Sequence, residues 1–463
     1  MPKKILIAGA SGFIGQALIK ELLETTDYQL VALSRYPRPS ENPRVEWRQA
    51  DLFSLKDTTN AMNGCDEAIY LVHSMLPSAS LAQGKFYDYD LIMADNFRRA
   101  AEKTQLKHIV YLGGMIPKNI ELSWHLKSRL EVEQTLKEGN ISVTTLRAGL
   151  IVGPQGSSFV ILQRLIERLP VMITPDWAQT RSQPIYVGDV MKVIGRTLRD
   201  KTLQGKIFDL GGNIILSYQD LMAKASQVMH RRRTFLHLNI IPLSLSRLWV
   251  KLVSGVHKDL VYPLVLSLKY PMLEDSELRW PHREDIVTDL DAALKLSLDS
   301  AQKAKFVIKD KFHGYRPEKR DVRSIQRLVL PPGKRAEWVS REYFNWLPLF
   351  FSSIIQTQIN QERCSFYLFH PSLKILILER SEERSAADRQ LLYVVGGLLA
   401  GVQKRGRLEF REVLKGQYVL AALHEFRPAL PWFIYRWTQA IVHLIVMKGF
   451  EEHLKWIYLK DQK

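Results

Sequence analysis

Residues Lys3–Gly15 read KKILIAGASGFIG. Ile5, Leu6 and Ile7 form a short apolar run, the pattern of a parallel strand buried on both faces. Gly9, Gly12 and Gly15 follow at G-x-x-G-x-x-G spacing, with Ser11, Phe13 and Ile14 filling the turn between them. An amphipathic helix opens inside the pattern, with Ile14, Leu18 and Leu22 on one face and Lys20, Glu21 and Glu24 off it. Each glycine has a mechanical task. One makes the tight turn off the strand, one lets the backbone approach a pyrophosphate, and one lets helix and strand pack closely. The helix N-terminus adds free N–H groups and a partial positive charge. A dinucleotide is the ligand this stretch implies.

Tyr28–Leu33 (YQLVAL) reads as the second strand and ends in Ser34-Arg35, with Arg38 close behind. A cofactor with a free ribose 2′-hydroxyl usually finds an acidic residue here. A hydroxyl and a guanidinium instead suit a 2′-phosphate, so NADP(H) is favoured over NAD(H). Val45–Ala50 gives a third strand, followed by Asp51-Leu52 beside the expected adenine. Glu67–His73 gives a fourth, ending in Val72-His73 at the expected cofactor edge. The stretch Ser74–Gly84 has no periodicity and reads as a loop. A helix through Phe86–Thr104 leads to a fifth strand, His108–Leu112, and Lys206–Leu210 reads as the last. Alternation of strand and helix means a doubly wound parallel sheet of Rossmann type.

The 463 residues exceed one ordinary core, so at least two domains are expected. Two cysteines, Cys65 and Cys364, are too few for a disulfide scaffold or a zinc site and fit a reducing cytoplasm; no metal site is expected. The start MPKKILIAG shows no signal-peptide pattern. The net charge of +17 raises nucleic acid and anionic membranes as partners. The densest basic runs, Arg231–Arg233 and Lys404–Arg407, are short and lack interleaved aromatics, which argues against nucleic acid. No uninterrupted apolar run of about 18 residues occurs, so membrane contact is at most peripheral.

Several runs resemble the atypical, NmrA-like branch of the extended short-chain dehydrogenase/reductases: YLVHSM (70–75), YLGGMIP (111–117), HLKSRLEVE (125–133), LRAGLIVGP (146–154), RLPVMITPDWAQT (168–180) and QPIYVGDV (183–190). The resemblance covers about the first 300 residues and implies an NADP(H)-dependent reductase, with the substrate side in 169–300. The superfamily's catalytic serine would fall in Leu112-Gly113-Gly114, which has no hydroxyl. Its Tyr-x-x-x-Lys spacing survives as Ser123-Trp124-His125-Leu126-Lys127, with Ser123 in the tyrosine's place and Lys127 able to hold the nicotinamide ribose. His125 has a side chain suited to acid–base work at neutral pH. An i, i+2 pair points to different faces of a regular helix, so His125 and Lys127 share a site only if the helix begins after His125. Asp189 reads as opening a helix through Val193. Leu236–Met272, rich in apolar and aromatic residues, reads as helical core before a pocket wall.

Residues 301–320 read as a polar, basic linker, and 321–463 as a smaller α+β domain. β-type runs at 365–369, 374–379, 407–413 and 418–424 precede one long helix, Pro431–Lys460, whose apolar positions Ile434, Trp437, Ile441, Leu444 and Ile445 keep helical spacing. The segment resembles an uncharacterised bacterial domain found behind such reductases, with a START-type helix-grip layout. That likeness implies an apolar cavity under the helix, although Trp432, Phe433, Trp437 and Phe450 could equally fill a core. Two functions remain open: an NADP(H)-dependent oxidoreductase acting on a small apolar molecule, and an NADP-binding redox sensor or partner-binding protein without turnover. A lipid-handling protein at a membrane surface is a third. Oligomeric state is not legible.

Overall fold

A computed structural model describes residues 2–74, 81–238, 243–303, 321–352, 354–360, 363–401 and 405–460. The expected linker lies outside these residues from 304 onward. The chain divides into two compact units, Met1–Met75 with Met93–Gly314, and Leu76–Ile92 with Tyr315–Lys463. The second unit therefore includes an early segment that the sequence reading gave to the first.

The first unit is built on seven strands: β1 (Lys4–Ala8), β2 (Gln29–Ser34), β3 (Val45–Gln49), β4 (Glu67–Tyr70), β5 (His108–Gly114), β6 (Ser142–Ala148) and β7 (Ile207–Leu210). Their order is β7-β6-β5-β4-β1-β2-β3 and every neighbouring pair is parallel. The order reverses between β1 and β4, which is where doubly wound sheets open a crevice for ligands. Ile5, Leu6, Ile7 and Ala8 are fully buried, as a central strand requires. On one face, Leu18 and Leu22 of helix α1 (Phe13–Thr25) join Val190, Val193 and Ile194 of the helix Val187–Arg199 in a single core. On the other, Tyr70 meets Phe97 edge to face at 4.8 Å.

Asp189 lies in the first turn of Val187–Arg199, buried, and accepts from the backbone N–H (3.0 Å) and hydroxyl (2.9 Å) of Thr288. Its place in the first turn is the one its sequence position implied, and the tie to the segment at Thr288 is added by the fold. The apolar stretch around 250–265 is helical core: Val250, Val261 and Val265 pack with Leu162, Leu165 and Leu294.

The second unit holds an eight-stranded sheet. Its order is Ile355–Ile359, Arg363–Leu368, Lys374–Arg380, Arg389–Gly396, Arg407–Val413, Tyr418–Phe426, Val322–Val329 and Leu81–Gln83. All pairs are antiparallel except the last, in which Val322, Arg323 and Ser324 pair in parallel with Leu81, Ala82 and Gln83. That edge strand falls in the stretch expected to be a loop. Its three residues are too few to show alternation, and long-range pairing alone makes it a strand.

The helices Ala336–Phe350 and Gln439–Lys460 lie on one face of this sheet and meet through rings: Tyr343 with Phe450 at 5.1 Å, Trp346 with Phe450 at 5.2 Å, and Tyr343 with Phe410 at 5.5 Å. At this point the space under the long helix is filled by side chains. Outside the ring cluster, the buried Glu409 carboxylate accepts from Arg389 Nε (2.5 Å) and Arg411 Nε (2.8 Å), both guanidinium groups being buried as well.

The expected single terminal helix is two, Trp432–Trp437 and Gln439–Lys460. The break has a local cause. The Thr438 hydroxyl donates to the Ile434 carbonyl (2.6 Å), the group its own N–H would use in a continuous helix. That N–H turns instead to the Tyr435 carbonyl at 3.3 Å. The apolar face is corrected too. Ala440, Val446, Met447, Phe450 and Leu454 face the core, whereas Ile434, Trp437, Ile441, Leu444 and Ile445 are exposed.

Candidate cofactor and catalytic site

The glycine turn is built as its spacing requires. Gly9 sits at φ +88°, open to glycine and strained for other residues. The Gly12 N–H donates to the Gly9 carbonyl at 3.0 Å, closing the turn. A Cβ on Gly12 would touch only the Gly9 carbonyl oxygen, at 3.2 Å, so its outer side is open to a ligand. A Cβ on Gly15 would lie 2.6 Å from the Ala10 Cα and nearer still to the Gly9 oxygen. Gly12 is the N-cap residue of α1 and offers no side chain to its first N–H groups. These features fit a pyrophosphate. Phe13 and Ile14 are partly buried in the first turn, and the Phe13 ring lies within 3.6 Å of a Cβ placed on Gly156. Ser11 is partly exposed in the turn. Gly15→Val is expected to abolish dinucleotide binding while leaving the second unit's unfolding unchanged; titration calorimetry with parallel thermal unfolding checks it.

At the end of β2, Ser34 is buried and its hydroxyl accepts from the Tyr36 N–H at 3.2 Å. The Arg35 side chain is exposed, and its carbonyl accepts from Gln49 Nε2 at 3.0 Å. Arg38 lies over the Trp47 ring at 5.2 Å. After β3, Asp51 turns the chain by accepting from the Phe53 N–H (3.2 Å), and the buried Leu52 gives its carbonyl to Asn96 Nδ2 (2.8 Å).

The Trp124–Lys137 helix begins before His125. Ser123 is its N-cap: the hydroxyl accepts from the Leu126 N–H (3.3 Å) and is 3.1 Å from the Ser267 hydroxyl. Lys127 is exposed, its ammonium 5.3 Å from the Trp124 ring centre. His125 faces the other way, with Nδ1 3.3 Å from His73 Nε2 at the carboxyl end of β4. Of the expected catalytic stretch, then, the fold brings His125 to His73 and does not bring Lys127 with it.

Arg129, one helical turn beyond His125, joins this pair and was not picked out from sequence. Its guanidinium donates to the carbonyls of Leu112 (2.5 Å) and Val72 (3.3 Å), bridging the ends of β5 and β4. The Arg129 carbonyl accepts from the Tyr111 hydroxyl at 3.1 Å. In the hydroxyl-free segment Leu112-Gly113-Gly114, a Cβ on Gly114 would make only an ordinary contact with the Arg129 stem, 3.6 Å from Cγ. The i, i+4 spacing of His125 and Arg129 was the available signal.

The His125 ring is partly exposed, yet burial holds its pKa well below the ordinary value, with the charges of His73 and Arg129 pushing the same way. It is neutral at pH 7. Leu126, the next residue in the chain, joins Met115, Tyr270 and Met272 in a small buried apolar cluster. Among the described residues, no group of three or more His, Cys, Asp and Glu side chains is placed to hold a metal.

Comparison with known proteins bears on the first unit's fold and its dinucleotide turn. Residues 9–164 match a family described as NAD(P)H-binding. Over 116 residues the chain is 39% identical to auxiliary protein GraX of Staphylococcus aureus, covering 25% of this chain and 37% of that protein. Over 167 residues it is 25% identical to an NmrA-like family domain-containing protein of Dictyostelium discoideum, covering 33% of this chain and 51% of the relative. The chain thus spans at most about half the length of these two relatives. The triphenylmethane reductase of Citrobacter sp. shares the fold, with a TM-score of 0.51 at 18% identity, covering 64% of this chain and 99% of that one. Of the second unit, residues 315–463 lie outside the family match.

Proposed function

We propose that this chain is an NADP(H)-dependent oxidoreductase that reduces an apolar carbonyl compound, with His125 as the residue that delivers the proton. The observation that carries this reading is the His73–His125 pair at the carboxyl end of a central strand, in a unit that begins with a dinucleotide turn. The apolar cluster that includes Leu126 supports an apolar substrate.

Reducing a carbonyl adds a hydride at carbon and a proton at oxygen; NADPH, when bound, supplies the hydride. His125 gives the proton from Nε2 while Nδ1 takes one from His73 Nε2 across the 3.3 Å contact, and His73 Nδ1 takes one from solvent, so both imidazoles end neutral. Arg129 is a positioning residue. It fixes the helix bearing His125 to the ends of two strands and, as a neighbouring positive charge, keeps that imidazole from being trapped as imidazolium.

Ser34 and Arg35 support the 2′-phosphate over a free hydroxyl. Arg35→Asp is expected to weaken NADPH binding by about 1.5–3 kcal/mol, the loss of a charge-assisted contact, and to leave NADH nearly unchanged. Titration calorimetry with both cofactors reads this directly; equal affinity of the unaltered protein for the two ends the NADP assignment.

One observation favours a second reading, an NADP-binding sensor without turnover. The Ser123 hydroxyl is committed to capping the Trp124–Lys137 helix, and Leu112-Gly113-Gly114 has no hydroxyl to hold a carbonyl. A screen of quinones, aldehydes and enones for NADPH consumption separates the two. For the second unit, a strand, a helix, a six-stranded meander and a closing pair of helices support the helix-grip reading, and the Tyr343–Trp346–Phe450 cluster supports a scaffold over a ligand carrier. The buried thiols Cys65 and Cys364 fit the cytoplasm.

A further inference from the structure

One end of the second unit's sheet gathers exposed apolar side chains from four separate segments. The antiparallel register puts the start of Ile355–Ile359, the turn between Arg363–Leu368 and Lys374–Arg380, the segment after Arg389–Gly396 and the exit of Tyr418–Phe426 at that same end. Backbone hydrogen bonds stitch them together. Phe369 N–H donates to Ile354 O (2.9 Å), Leu398 N–H to Lys374 O (3.0 Å), Gly401 N–H to Arg427 O (2.9 Å) and Ala429 N–H to Leu399 O (3.1 Å). The tips are apolar: Leu349 is 75% exposed, Phe369 66%, Leu398 61%, Phe433 70% and Trp437 71%. Ile441 and Ile445 continue the exposed face along the long helix.

Such a surface is expensive in water and marks a contact site. Its charges name the partner. Residues 349–355, 369–374, 396–401 and 427–448 contain no aspartate or glutamate. Exposed bases surround the tips. Arg405 and Arg427 lean on Glu425 and Asp321, whereas Lys374, Arg436 and Lys448 stand among apolar neighbours in sequence, Arg436 lying 5.7 Å from the Trp437 ring. A protein partner needs no such exclusion of acids. A lipid bilayer with anionic headgroups does: rings and aliphatic side chains enter the headgroup–acyl boundary while lysine and arginine meet the phosphates. Among the described residues no helix is long and apolar enough to cross a membrane, so the contact is peripheral.

We infer that this end of the second unit docks on anionic membrane surfaces, with Phe433 and Trp437 inserting and Lys374, Arg436 and Lys448 reading the headgroups. An apolar substrate of the first unit would then be met where such molecules partition. The test uses the full chain, co-sedimented with vesicles of phosphatidylcholine alone or with about one-third phosphatidylglycerol. Three apposed bases at roughly fivefold each predict a preference for the anionic vesicles on the order of a hundredfold. Phe433→Glu with Trp437→Glu should abolish binding without changing circular dichroism or cofactor affinity, both side chains being exposed. Lys374→Ala with Arg436→Ala should remove most of the anionic preference and is the second arm if the first variant misfolds. Binding to neither vesicle overturns the proposal, as does equal binding to both. Light scattering that shows self-association, lost in Phe433→Glu/Trp437→Glu while vesicles stay unbound, overturns it in favour of a second copy of this chain.

Discussion

Replacing Glu409 by glutamine is expected to destabilise the second unit by about 3–5 kcal/mol, the cost of leaving buried charges without their counter-ion. Glu409, Arg389 and Arg411 are all buried, and the carboxylate is the acceptor that both guanidinium groups share. Burial alone would push the Glu409 carboxyl up, but Arg389 and Arg411 hold it well below the usual carboxylate range. Its contribution is therefore complete at neutral pH, persists in mild acid, and is lost only as the pH falls through that depressed value. Urea unfolding of the full chain measures the loss. The control is Glu379→Gln, which breaks an exposed pair with Arg363 and should change stability by less than about 1 kcal/mol. If the two variants unfold alike, the buried cluster contributes no more than an exposed pair does.

His125→Asn is expected to lower kcat by about 10²–10⁴ on any substrate the protein reduces, the usual worth of a positioned acid. Cofactor affinity should hold, because the glycine turn and the Ser34–Arg35 edge lie on other elements. The companion is Ser123→Ala, which removes a helix cap and should cost about 1 kcal/mol of stability with little effect on turnover. Reversal of this pattern, with Ser123→Ala inactive and His125→Asn fully active, would return the acid to the serine. A steady kcat in both variants would move it to water.

The parts of this molecule that could be read from sequence are those made by neighbours in the chain. Ile5–Ile7 followed by Gly9, Gly12 and Gly15 forms a strand, turn and helix within about a dozen positions, and alternation of such pieces leaves few topologies. His125 was legible as a candidate because of its side chain. Arg129 was not, because its job exists only where the Trp124–Lys137 helix crosses the ends of β4 and β5; its i, i+4 spacing from His125 puts it on that face without saying what it would hold. The outward face of residues 434–445 was misread for the same reason. Helical spacing reports that a face is apolar, while the sheet decides which face it covers, and it took Ala440, Val446 and Phe450 instead. Thr438 was a signal available locally, a hydroxyl able to take the carbonyl of the preceding turn.

The three-residue strand Leu81–Gln83 carries a consequence for how the chain is made and divided. Its partner begins at Val322, so the edge of the second sheet leaves the ribosome well over two hundred residues ahead of the strand it joins. Throughout that interval it is carried on a chain already able to assemble β1 to β4, and the second sheet closes last, on a piece made almost first. No single cut separates the two units intact. A fragment starting near residue 321 would expose Val322–Ser324 as an open edge, the kind of surface that pairs with strangers. The tandem order of the gene therefore conceals an interleaved protein, in which one unit has lent the other its border.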